Sequence, residues 1–179
     1  MTNLAVSMTF NELTPELRER GIQFFQAIEN GSITGATAAQ FFFRYFFQRL
    51  RLMFQDEPDK LDYIASESMN RKCMLAVKGK NAFQVTVFLK NFDEIPVDET
   101  PDYKAPKITF DNIWTVFAVI ASDTSLMQAI LDKRVKIDKM AALAMIFLPI
   151  EALNPKDRLL QVKEQDMELL SQILAELGF

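Results

Sequence analysis

The chain has 179 residues and a mass of 20.6 kDa, enough for one hydrophobic core of ordinary size and cramped for a second domain. With 49% hydrophobic and 25% charged residues the balance is globular rather than disordered, and sixteen Phe and nine Met bias the interior towards large, adaptable side chains. The net charge of −4 and the pI near 5 weigh against a nucleic-acid partner, though not against a local basic patch, and the absence of histidine excludes Ser-His-Asp and Cys-His catalysis.

The opening "MTNLAVSMTF" has no basic region ahead of an apolar run, so no export signal is expected. From Thr14 the pattern is helical. Thr14 is placed to cap, Pro15 suits the first helical position, and Leu17, Ile22, Phe25 and Ile28 form a face that ends at Asn30-Gly31. A second helix runs from about Gly35 to Gln55, where Glu57-Pro58 stops it. It holds "AAQFFFRYFFQRLRLMF", six phenylalanines in seventeen residues. Gln40, Arg44, Gln48, Arg51 and Gln55 gather into one stripe about 80° wide, so the rest of the helix is expected to be buried. Arg49 falls in the middle of the apolar arc and needs a carboxylate, a carbonyl or a route to water.

A third helix is read over about Asp59 to Arg71, after which the period changes to two. Cys73, Leu75 and Val77 alternate, "KGKN" makes a turn, and Phe83, Val85, Val87 and Leu89 share one face of the returning strand. Strands are expected at 72–78 and 82–90. The following "FDEIPVDETPDYKAP" carries three prolines and five acids and reads as a long surface loop. A short strand, 107–111, leads to two helices, about Asn112 to Ala121 and Thr124 to Lys133, with Asp111 and Asp123 in capping positions. Another strand is expected at 134–139, then an apolar helix from Met140 to about Leu153 and, beyond Asn154-Pro155, an amphipathic helix with Leu159, Val162, Met167, Leu170, Ile173, Leu174 and Leu177 on its apolar side. The fold class is therefore α+β. The longest apolar run, Met140 to Ile150, has eleven residues against the ~20 needed to span a bilayer, which points to a soluble, cytoplasmic protein.

Catalytic and metal chemistry finds little to use. The single Cys, Cys73, lies on the apolar face of a strand and reads as a packing residue. The acids of the 92–106 loop lack the oxygen-ligand spacing and central Gly of a calcium loop. Glycines at 21, 31, 35, 79 and 178 are too scattered for a phosphate-binding loop or a dinucleotide fingerprint. Lys133, Arg134, Lys136 and Lys139 form a modest basic cluster, read as an outward strand face paired with acids in preference to an anion or membrane-surface site. No enzymatic activity, cofactor or metal is expected. What remains is apolar excess: "IWTVFAVIA" and "MAALAMIFLPI", with the Phe-rich helix, either fill a dense core or line a cavity.

From about Ile64 to Leu153 the hairpin "CMLAVKGKNAFQVTVFLKN" is followed by "APKITFDNIWTVFAVIA", "TSLMQAILDKRVKIDK" and "MAALAMIFLPIEAL". This order resembles the sterol carrier protein type two domain, the SCP2-like lipid-binding family, in about half the chain and through hydrophobic patterns rather than signature residues. Where that family flanks its basic strand with glycines, this chain has Asp132 and Asp138 or Lys139. The resemblance divides the chain into an N-terminal helical extension, 1–63, a sterol-carrier-like core, 64–153, and a C-terminal amphipathic helix, 154–179. It implies a mixed, roughly five-stranded sheet covered by helices, with an apolar tunnel for a fatty acyl chain, a sterol-like molecule or an isoprenoid lipid. The implied lining is Phe83, Val85, Val87, Trp114, Phe117, Met127, Ile130, Met145 and Leu148. The expected function is binding, with transfer as its extension, of a hydrophobic small molecule; peripheral membrane contact and a homodimer stay open. The other reading is an interaction module whose apolar helices are core and dimer interface.

Overall fold

The computed structural model describes residues 13–120, 124–140, 144 and 156–179. Helix α1, Pro15–Glu29, begins as its sequence dictates: the Thr14 hydroxyl accepts from the Leu17 N–H at 3.3 Å, and Pro15 loses no hydrogen bond in the first turn. It stops at Asn30, and Gly31 takes the left-handed turn with φ +82°. Helix α2, Gly35–Met53, is capped by Thr34, whose Oγ1 accepts from the Thr37 N–H at 3.2 Å. Helix α3, Pro58–Ser68, starts at the proline that ended the previous periodic segment.

Five strands follow: β1, Arg71–Val77; β2, Phe83–Leu89; β3, Val97–Asp98; β4, Lys107–Phe110; and β5, Val135–Ile137. They form one mixed sheet in the order β3-β2-β1-β4-β5, with β1 parallel to β4 and all other neighbours antiparallel. Helix α4, Ile113–Ile120, and helix α5, Leu126–Leu131, connect β4 to β5; helices α6, Lys156–Gln161, and α7, Lys163–Glu176, close the chain. The class is α+β, as the order of periodic segments predicts.

Period two sorts the sheet's faces. Cys73, Leu75, Val77, Val85, Val87, Leu89, Ile108, Phe110 and Val135 are buried in one cluster with the helices. Helix α2 lies on this face against β2 and β3, and also touches α4, α6 and α7. Its contact with β2 is close: a Cβ on Gly35 would fall 2.4 Å from Cγ of Phe83. The opposite face is crossed by the segment between β3 and β4. There the Thr86 hydroxyl donates to the Thr100 carbonyl at 2.9 Å and accepts from the Asp102 N–H at 2.8 Å, which leaves Met74 and Thr86 buried beneath.

Several expectations are corrected. The proline-rich acidic segment is not all loop, because Val97 pairs with Val87 and supplies the fifth strand. The helix after β4 is capped by Asn112, whose Oδ1 accepts from the Thr115 N–H at 3.0 Å, and not by Asp111, which instead accepts from the Thr115 hydroxyl. Ser125 caps α5, with Oγ accepting from the Gln128 N–H at 3.0 Å; Asp123 lies outside the described residues. The C-terminal helix is two helices, broken at Val162. Most of the apolar stretch from Met140 to Leu153 lies outside the described residues. At the ends of β5, Lys133 and Lys139 take φ of +59° and +50°, a conformation glycine adopts more readily than lysine.

Candidate functional site

The sequence-predicted lining residues fall into two groups. Phe83, Val85 and Val87 project from β2 towards α2; the valines are buried and Phe83 sits against Gly35. Trp114 and Phe117 project from α4 onto Phe25 of α1, with ring centroids at 4.7 and 4.9 Å, and the Trp114 indole N–H donates to Glu29 at 3.3 Å. On α5, Ile130 is half-buried against the core while Met127 is 52% exposed. Strands β1 and β4 lie between β2 and β5, so the β2 group and the α5 group are about three strand spacings apart, on the order of 14 Å. Met145 and Leu148 lie outside the described residues.

Among the described residues, the α4–α5 corner brings exposed apolar side chains together. Helix α4 is apolar nearly all round: Ile113, Val116, Phe117 and Ala118 are buried, and Trp114 and Val119 half-buried. Its one buried polar side chain, Thr115, is satisfied, donating to Asp111 at 2.5 Å and accepting from Arg134 Nη2 at 2.6 Å. Helix α5 touches both α4 and β5. It turns Ala129 inward and leaves Leu131, 68% exposed, beside Met127 one helical turn away. Met140, after β5, is also about half exposed. Leu131 is absent from the sequence-predicted lining because helical spacing alone does not tell which face of a six-residue helix its neighbours leave uncovered.

A second set of functional-looking groups is structural. Arg49, 2% exposed in the Phe-rich helix, reaches Asp166 of α7 with Nε 3.9 Å from Oδ1, and the Tyr45 hydroxyl donates to Asp166 Oδ2 at 3.0 Å. Burial raises the Asp166 carboxyl above its ordinary range, against the pull of Arg49 and the Tyr45 hydrogen bond. Burial raises the Tyr45 hydroxyl as well. The Cys73 thiol, fully buried, is pushed up to about 12, which leaves it protonated and poorly nucleophilic at neutral pH. Among the described residues no cluster of three or more acids or Cys is placed to hold a metal ion, and no helix is long and apolar enough to cross a membrane. Comparison with known protein families, curated proteins and solved structures finds no match to this chain.

Proposed function

We propose that this chain binds a long-chain hydrophobic ligand, such as a fatty acyl chain or a sterol-like or isoprenoid lipid, at the corner built by α4, α5 and the β5 edge. The observation that carries the reading is the apolar face of α5 that no described residue covers, where Met127 and Leu131 stand 52% and 68% exposed beside α4, which is apolar apart from Thr115. Large exposed side chains that adjoin on one helix are informative in a way that scattered ones are not. Thioether and branched aliphatic groups supply adaptable contact without a directional polar requirement, which suits a ligand recognised by volume. The sterol-carrier-like order of elements adds to this reading, and β2, closed beneath α2, is support for the corner rather than part of its wall.

Organic-solvent extraction of the purified protein followed by mass spectrometry, with titration of a fluorescent fatty acid, tests the proposal. A stoichiometric lipid, and uptake lost in Met127→Glu/Leu131→Glu without loss of folding, is the expected result. A clean extract, no uptake, and a tight dimer that the same double substitution dissociates would replace it with the interaction-module reading.

A further inference from the structure

On the sheet face turned away from the α2 side, the segment between β3 and β4 covers Met74 and Thr86 and reaches Lys139 past the end of β5 through the Tyr103 and Lys104 carbonyls. What remains is a groove of about 520 Å³. Its floor follows from the register: Gln84, Ala76, Thr109 and Lys136 are successive partners across β2, β1, β4 and β5. Lys107, opposite Asp138 just past the end of β5, is the diagonal neighbour of Lys136, with their Cα atoms about 7–8 Å apart. Lys78, whose N–H donates to the Phe110 carbonyl, continues β1 on the same face. All three lysines line the groove, and among the described residues none of the three makes an ion pair. The single acid in the lining, Asp138, accepts from the Lys107 backbone N–H at 2.5 Å.

Lys107 and Lys136, diagonal neighbours on adjacent strands, repel one another, and a protein with a net charge of −4 has carboxylates to spare for neutralising them. A lysine on the β5 edge alone would be explained as protection against strand addition. That explanation covers Lys136 and does not cover Lys107 or Lys78, which sit inside the sheet's width. Lysine ammonium groups are strongly hydrated point charges that meet phosphate oxygens well, and Gln84 and Thr109 add neutral donors. Ala76 and Ala82 give the same groove an apolar side. We propose that this groove is a binding site for a soluble, phosphate-bearing small molecule whose non-phosphate body rests on that apolar side. The site is separate from the α4–α5 corner and does not depend on what binds there.

Titration of the full chain with inorganic pyrophosphate, at low and high salt, tests this by calorimetry and by amide chemical-shift mapping. Binding is expected to move the amides of Gln84, Thr109 and Lys136, to weaken with salt, and to fall roughly tenfold or more in Lys107→Gln/Lys136→Gln, the loss of two charge-assisted contacts. Lys90→Gln, which removes one charge outside the groove, should leave it unchanged. Shift mapping on the wild-type chain decides the matter even where the double variant folds poorly. No binding at low salt, shifts confined to other surfaces, equal weakening by Lys90→Gln, or binding only to phosphatidic-acid vesicles and not to pyrophosphate would overturn the proposal.

Discussion

Arg49 is the residue at which burial and charge meet most directly. Its helix buries it among phenylalanines, so its partner had to come from elsewhere in the chain, and Asp166 on α7 supplies a carboxylate that also accepts from Tyr45. Breaking a buried pair costs more than the pair contributes, because the surviving charge is left without compensation. Arg49→Met should therefore destabilise by about 3 kcal/mol near neutral pH, the lower end for such losses because Asp166 keeps 16% of its side chain exposed. Arg49→Met/Asp166→Leu should recover most of that loss in urea unfolding. Because burial raises the Asp166 pKa above its unfolded value, the folded state holds this proton more tightly. The Asp166 contribution is thus fully present below the ordinary carboxylate pKa and lost as pH rises through the raised folded value. Stability curves against pH for Asp166→Asn should be flatter than wild type in that acidic window. A wild-type curve unchanged by the substitution would contradict the assignment.

Elements show the same division between local rule and tertiary demand. Helix α2 meets β2 at Gly35, where a side chain would drive a Cβ to within 2.6 Å of three carbons of Phe83, two of them close to the backbone and unable to swing away. Gly35→Ala should cost about 1–3 kcal/mol, as overpacking does, although alanine is the better helix former. Val87 lies fully buried in the same sheet face, so Val87→Trp should also lose about 1–3 kcal/mol in thermal or urea unfolding. Met127→Trp, on the exposed side of α5, should change stability by no more than about 0.5 kcal/mol while altering uptake of a fluorescent fatty acid. Equal destabilisation at both positions would place the α5 face inside the core. The hairpin and the start of α1 were legible beforehand because period two and the Thr14-Pro15 cap act locally. Strand β3 was not, because two residues between prolines carry no period; only the pairing of Val97 with Val87 makes them a strand.

Over the whole molecule the C-terminal helices act as a clasp on the N-terminal ones. Arg20 of α1 donates to the Ser171 hydroxyl at 2.7 Å and to the Ser171 and Phe179 carbonyls at 2.8 and 3.0 Å. Arg44 pairs with Glu176 at 2.5 Å, and Arg158 of α6 reaches Asp56 at 2.7 Å and the Met53 carbonyl at 3.2 Å. Leu170, Ile173 and Leu174 belong to the same buried cluster as Phe24, Phe42 and Phe47. The helices before residue 64 and after residue 153 are thus part of one core. Removing residues 163–179 should uncover Phe24, whose ring lies 5.5 Å from that of Phe179, and leave Arg49 without its carboxylate. The truncated chain should bind a hydrophobic dye and elute as aggregate in size-exclusion chromatography, and a monodisperse, dye-free product would show that α7 is dispensable.

The α+β class, the starts of the first two helices, the hairpin and the burial of the Phe-rich helix follow from the sequence by itself, since capping, period and composition act over a few residues at a time. Period two also places Lys107 and Lys136 on outward strand positions, but not which strands stand next to each other. The parallel pairing of β1 with β4 brings Ala76 beside Thr109, and β5 then sets Lys136 on the other side of Thr109. Likewise the spacing in α5 marks Met127 and Leu131 as apolar without saying that nothing described covers them. Contacts between residues far apart in the chain depend on the relative placement of whole elements, and that placement is set by how the faces fill against one another rather than by any residue's own preference.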